Sequence, residues 1–232
     1  MAHEKLTGPI EDQTWATQLQ SHVVTPEASP RIHGYDVEGD LAKHYSFADT
    51  MMLCVLGEIP SDSKRRAIEI AMQFLAPMSI AHAPTHAGML TRLCGATTSA
   101  SFAAGAFLLG EDARTIVEAH ASWISWLRTS AGSPDSFTPN NDADRASVVR
   151  LGHAIAETGV VVRGLDLKVT KLAAILAVFV ACGATTPGQL ELFLILGRLA
   201  CVGAEVLATT PTQFRTYPIN LPPFRFEAPH VY

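Results

Sequence analysis

Residues 31–60 read RIHGYDVEGDLAKHYSFADTMMLCVLGEIP, and the second half of that stretch is punctuated as a helix. The Ser46 hydroxyl can accept a hydrogen bond from the backbone of a first turn, which makes it an N-cap. Phe47, Met51, Leu53, Val55 and Leu56 then supply a broad apolar face, and Gly57 offers the left-handed conformation at which helices stop. A second start follows at once. Ser61 predicts a cap for a helix over 62–75, where Lys64, Arg65, Arg66 and Glu69 alternate with Ala67, Ile68, Ile70 and Met72. Upstream, an amphipathic stretch over 10–23 leads through the Pro-containing connection 25–30 and a turn at Gly34 into this body.

Downstream the same periodicity predicts helices over 84–95, 99–110, 112–130, 143–158, 165–182 and 186–207. Ala and Leu recur far more often than Val, Ile, Thr and Tyr, which favours helix over sheet, so the expected class is all-α. Several of these helices are apolar nearly all round. Such surfaces belong inside a bundle or between subunits, which predicts a homodimer or higher homo-oligomer. Two segments escape the pattern: the Gly, Ser, Pro and Asn-rich loop 131–142, and the tail from Thr209, rich in proline and carrying Arg215, Tyr217, Phe224, Arg225 and Phe226. The expected organisation is an N-terminal arm over 1–30, one helical domain over 31–208, and an extended tail over 209–232.

With 232 residues the chain can bury a large core in a single domain. Its net charge is −5 and the Lys and Arg residues are scattered, which argues against nucleic acid as a partner. Cys54, Cys94, Cys182 and Cys201 sit in apolar stretches without CxxC spacing, and read as buried free thiols of a reducing compartment. The N-terminus lacks an apolar signal core, and the apolar run 172–183 is about 12 residues where a membrane span needs roughly 20. The expected location is cytoplasmic, with no membrane partner. No GxGxxG, GxxxxGK or GxSxG phrase appears, so dinucleotide, P-loop and nucleophile-elbow chemistry find no support.

The stretch 31–60 resembles the opening of citrate synthases, with their GYDIEDLA phrase, Ser-Phe helix start and LLxGELP. A second likeness begins at His82, ten residues before Arg92 and the small residues Gly95, Ala96, Thr97 and Thr98, a spacing the family shares. Weaker likenesses cover 110–118, in the register of a GPxHGGAxE segment, and 144–146, similar to DPRA. The length is closer to that of citryl-CoA lyases. The resemblance implies a citrate synthase-like multi-helix bundle with a helical dimer interface and a reduced small domain. It also implies aldol or Claisen-type chemistry, as transferase or lyase, on a polycarboxylate or its CoA thioester.

In that register the family's proton-handling groups are replaced. One catalytic His falls on Ala113, the segment carrying the second corresponds to 136–142, where no His exists, and the catalytic Asp falls on or beside Leu172. A slip of a few residues would instead bring Asp166, Glu118 or His120 to that space. What the resemblance leaves is a substrate-binding set, His82, Arg145 and Arg198, at positions that hold carboxylates, and planar guanidiniums suit such anions. In the alternative reading, Arg145 and Arg198 pair with Asp144 and Glu205 or reach to solvent. Coenzyme A, as an acyl-CoA substrate, is the expected cofactor, although Asp135, Asp142 and Asp144 would repel its pyrophosphate. His82 and His86 share a helix face but lack a HExxH glutamate and a third ligand, so no metal is expected. The alternative function is a non-catalytic polycarboxylate-binding or partner subunit, a pseudoenzyme.

Overall fold

The computed structural model describes residues 19–25, 28–129 and 141–212. The amphipathic stretch expected over 10–23, the loop over 131–142 and the tail beyond 212 therefore fall wholly or largely outside the described residues. Among those described, the fold is all-α but for one small sheet. Two-residue strands β1 (Val24–Thr25), β2 (Arg31–Ile32) and β3 (Tyr35–Asp36) form an antiparallel ribbon in that order. Strands this short are invisible to periodicity. A π-helical turn, Val37–Leu41, runs into the short α1, Ala42–His44.

Helix α2 (Phe47–Leu56) begins and ends where its sequence says. Ser46 and Asp49 form a reciprocal capping box, and Gly57 closes the helix at φ 81°. Burial alone would raise the Asp49 pKa, but hydrogen bonds from Ser46 and the nearby Arg65 outweigh it and hold the carboxyl below its ordinary range. The remaining helices are α3 (Asp62–Leu75), α4 (Ala83–Leu93), α5 (Thr98–Ala119), α6 (Ala121–Thr129), α7 (Asp142–Ala156), α8 (Lys171–Cys182) and α9 (Pro187–Ala208).

Two expected boundaries move. Gly110 was expected to end a helix, yet α5 runs through it without interruption, because an isolated glycine costs a helix about 1 kcal/mol and does not break it. The break comes at His120 instead. The helix expected from 165 starts only at Lys171, because the Thr170 side chain accepts from the backbone of Ala173 and fixes the N-terminus there.

Helix α8 is the core. Residues Ala173 to Phe179 are all buried, and α3, α6, α7 and α9 pack around them. Phe179 stacks on Phe193 of α9 at 4.9 Å between centroids. The buried Trp123 of α6 donates its indole N–H to the Ala173 carbonyl at 2.9 Å, so the bulky ring is placed without an orphaned donor. A second layer joins the α4–α5 hairpin to α9 through small residues. A Cβ at Gly105 would stand 2.7 Å from Val202 Cγ1 and 2.9 Å from the Pro84 carbonyl oxygen. Only glycine lets these helices approach so closely.

The cysteines divide. All four are free, as expected, and Cys182 is buried, which pushes its thiol up to about 11. Cys54 and Cys94 are exposed, correcting the expectation of burial: Cys54 lies on the outer face of α2, and Cys94 is the residue at which α4 ends. Among the described residues, no helix is long and apolar enough to cross a membrane.

Candidate functional site

A cleft of about 620 Å³ opens where the N-termini of α4, α7 and α8 converge beside the end of α5 and the middle of α9. Each helix start follows from its cap. His82 holds the N-cap position of α4, with Pro84 in the first turn; Asn141 caps α7 by accepting from Asp144 N–H; Thr170 caps α8. All three capping residues line the cleft, together with Ser79, His120, Asp144, Lys171, Leu172 and Arg198. Aligned backbone N–H groups give such a convergence a partial positive charge.

Arg198 forms the floor. Its side chain is 7% exposed, and it donates to Asp112 of α5 at 2.7 Å. Burial lowers its pKa and the Asp112 carboxylate opposes that, while a guanidinium stays charged in either case. His120, at the end of α5, is 9% exposed, and its Nδ1 lies 2.7 Å from the Ile116 carbonyl oxygen. A carbonyl can only accept, so Nδ1 is the donor there and the ring presents Nε2 away from its own helix. Across the cleft, both Asp144 carboxylate oxygens accept from the Lys171 backbone N–H at 3.3 Å, fastening the start of α7 to the start of α8.

Of the three residues expected to bind substrate, the cleft brings together His82 and Arg198. Arg145 is not among its lining. Its side chain is 60% exposed and pairs with Asp142 at 3.1 Å. The expected salt-bridge partners are also different: Asp142 rather than Asp144 for Arg145, and Asp112 rather than Glu205 for Arg198. Both follow from helical geometry, since residues three apart on α7 face each other, whereas Arg198 points inward at α5 rather than along its own helix.

The positions aligned with catalytic groups separate as well. Ala113 is fully buried in the core face of α5, while Leu172 does line the cleft. Of the three residues a register slip would bring in, His120 reaches the cleft. Glu118 is 62% exposed and paired with Arg114, and Asp166 is exposed in the turn before α8. Lys171, Asn141 and Asp112 carried no functional signal in the sequence. Among the described residues no cluster of three His, Cys, Asp or Glu side chains could hold a metal ion. Residues 131–140, on which the expectation about CoA binding largely rested, lie outside the described residues.

No family model and no curated protein matches the sequence. Among solved structures, citryl-CoA lyase from Hydrogenobacter thermophilus is similar, with a TM-score of 0.64 and 18% identity over 90% of this chain and 97% of that one. Two ATP citrate lyases are also similar over 95% of this chain. That of Methanosaeta concilii, in complex with (3S)-citryl-CoA, gives a TM-score of 0.61 at 13% identity. That of Methanothrix soehngenii, in complex with citrate and coenzyme A, gives 0.55 at 12%. This chain spans 44% of the length of each of these two. At such identities the likeness is one of architecture: the chain has the helical fold of citryl-CoA lyase.

Proposed function

We propose that the cleft binds a polycarboxylate such as citrate, or its CoA thioester, and that the chain acts on it as a citryl-CoA lyase-like protein. The observation that carries this reading is the meeting of His82, Arg198 and Lys171 with three helix N-termini in one concavity. Arg198 donates to Asp112 through Nη1, so further N–H groups of its guanidinium fork remain to grip a carboxylate from the cleft side. Lys171 adds charge around it, and the imidazoles add hydrogen-bonding groups. Arg145 would join them only by leaving Asp142.

Cleavage of a citryl thioester needs a base at the tertiary hydroxyl and a donor at the thioester oxygen as the carbon–carbon bond breaks. His120, through Nε2, is our choice for the base, and His82 for the donor. One observation favours a second reading, binding without turnover: Leu172 stands in the cleft where the family resemblance aligns a catalytic Asp. A single experiment separates the two. Citrate at 100 times its dissociation constant should stabilise the fold by about 2.7 kcal/mol, and Arg198→Gln should abolish most of that gain. Incubation with citryl-CoA, following acetyl-CoA release, should then give turnover that His120→Gln reduces by about 10² or more. Stabilisation without turnover leaves the binding reading alone; no stabilisation by any polycarboxylate overturns both.

The oligomer is part of the same proposal. Thr98, Ser99 and Phe102 of α5 with Gly203 and Leu207 of α9 line an apolar groove, and Leu207 is 73% exposed. A second copy would cover it, and Leu207→Glu should shift the mass seen in sedimentation towards the monomer.

A further inference from the structure

Away from the cleft, a concavity of about 420 Å³ lies between the end of α6, the connection before α8, and the C-terminal half of α8. Among the described residues its charged lining is two arginines, Arg128 and Arg163, with no acidic side chain. Arg128 is exposed and has no hydrogen bond or ion pair among the described residues. Arg163 is held in place: its guanidinium carbon sits 3.7 Å above the Trp126 ring centre and its Nη1 donates to the Trp126 carbonyl at 3.0 Å. Gly164 makes that placement possible. At φ 87° it passes so close to Trp123 that a Cβ would stand 2.6 Å from the ring.

The opposite wall is apolar. Ala177 and Ala181, one turn apart on α8, leave a furrow flanked by Val180, Leu127 and Val161. Val161 is 92% exposed, an aliphatic side chain left in water beside two guanidiniums. Two guanidiniums without an ion-pair partner among the described residues, beside an apolar furrow, select an anion with a hydrocarbon body, and the volume falls in the range of small-molecule sites, roughly 300–1,000 Å³.

We propose that this concavity is a second binding site, for a carboxylate carried on a short aliphatic chain, with Arg128 and Arg163 gripping the carboxylate and Val161, Ala177 and Ala181 covering the chain. The site does not depend on the function of the cleft. Octanoate is the probe, with octanol and sulfate as its uncharged and bodiless halves. Trp126, beneath Arg163, reports binding through its fluorescence. Octanoate should change that signal saturably in the full chain, and octanol and sulfate should each bind at least about tenfold more weakly. Arg128→Gln, which breaks no internal contact, should weaken octanoate by about tenfold or more, while citrate should not compete. The proposal fails if octanoate does not bind, if octanol binds as well, if Arg128→Gln leaves the affinity unchanged, or if citrate displaces the probe.

Discussion

The α9 floor of the cleft and its α7 edge each present an arginine paired with an aspartate, and the two pairs behave as different kinds of object. Arg198 and Asp112 join helices far apart in sequence, with the arginine side chain only 7% exposed. Arg145 and Asp142 are three residues apart on one helix, 60% and 95% exposed. Water screens the second pair, and its geometry costs side-chain entropy, so it contributes little. Arg198 is largely cut off from that solvent, and Asp112 supplies the counter-charge that compensates its burial. The floor is thus fixed by the fold, and the edge is free to adjust.

The sharpest way to break this contrast is Asp112→Asn, which leaves a buried guanidinium without its counter-charge. We expect a loss of about 3 kcal/mol in urea unfolding, at the low end for a broken buried pair because Asp112 is itself 32% exposed. A loss under about 1 kcal/mol would mean the floor is not held by the pair. Next comes Gly105→Ala, which tests whether the floor rests on close approach of α5 to α9. The gain in helix propensity is outweighed by contact with Val202 and the Pro84 carbonyl, for a net cost of about 2 kcal/mol. The smallest effect is at the edge. Arg145→Gln should change stability by no more than about 0.5 kcal/mol, and a double-mutant cycle with Asp142→Asn should give a coupling of the same small size.

That contrast also divides what could be read from the sequence. Ser46, Gly57, Ser61 and the apolar run of α8 are local signals, and they place α2, α3 and the end of α8 where the structure has them. The i, i+3 partner of Arg145 lay within reach of the same reasoning. Asp112 did not, because nothing along the chain marks which carboxylate will face Arg198 once α5 and α9 pack. Gly110 misled for a related reason: a glycine weakens a helix locally, but packing of Leu109 and Ala113 on either side, both fully buried, carries α5 across it. His120 emerged as a cleft residue only because the helix ends there rather than at Gly110. The exposure of Cys54 and Cys94 was likewise decided by which side of a helix met a neighbour, which apolar content alone does not specify.

The unbroken length of α5 has a mechanical corollary. Twenty-two residues at about 1.5 Å each make a rod of roughly 33 Å, with Phe102 in the outward groove near one end and Asp112 and His120 towards the other. Because the helix is unbroken, the outward groove at Phe102 and the Asp112 that pairs with Arg198 are built on one element, and a substitution at either end is felt by a backbone the two sites share.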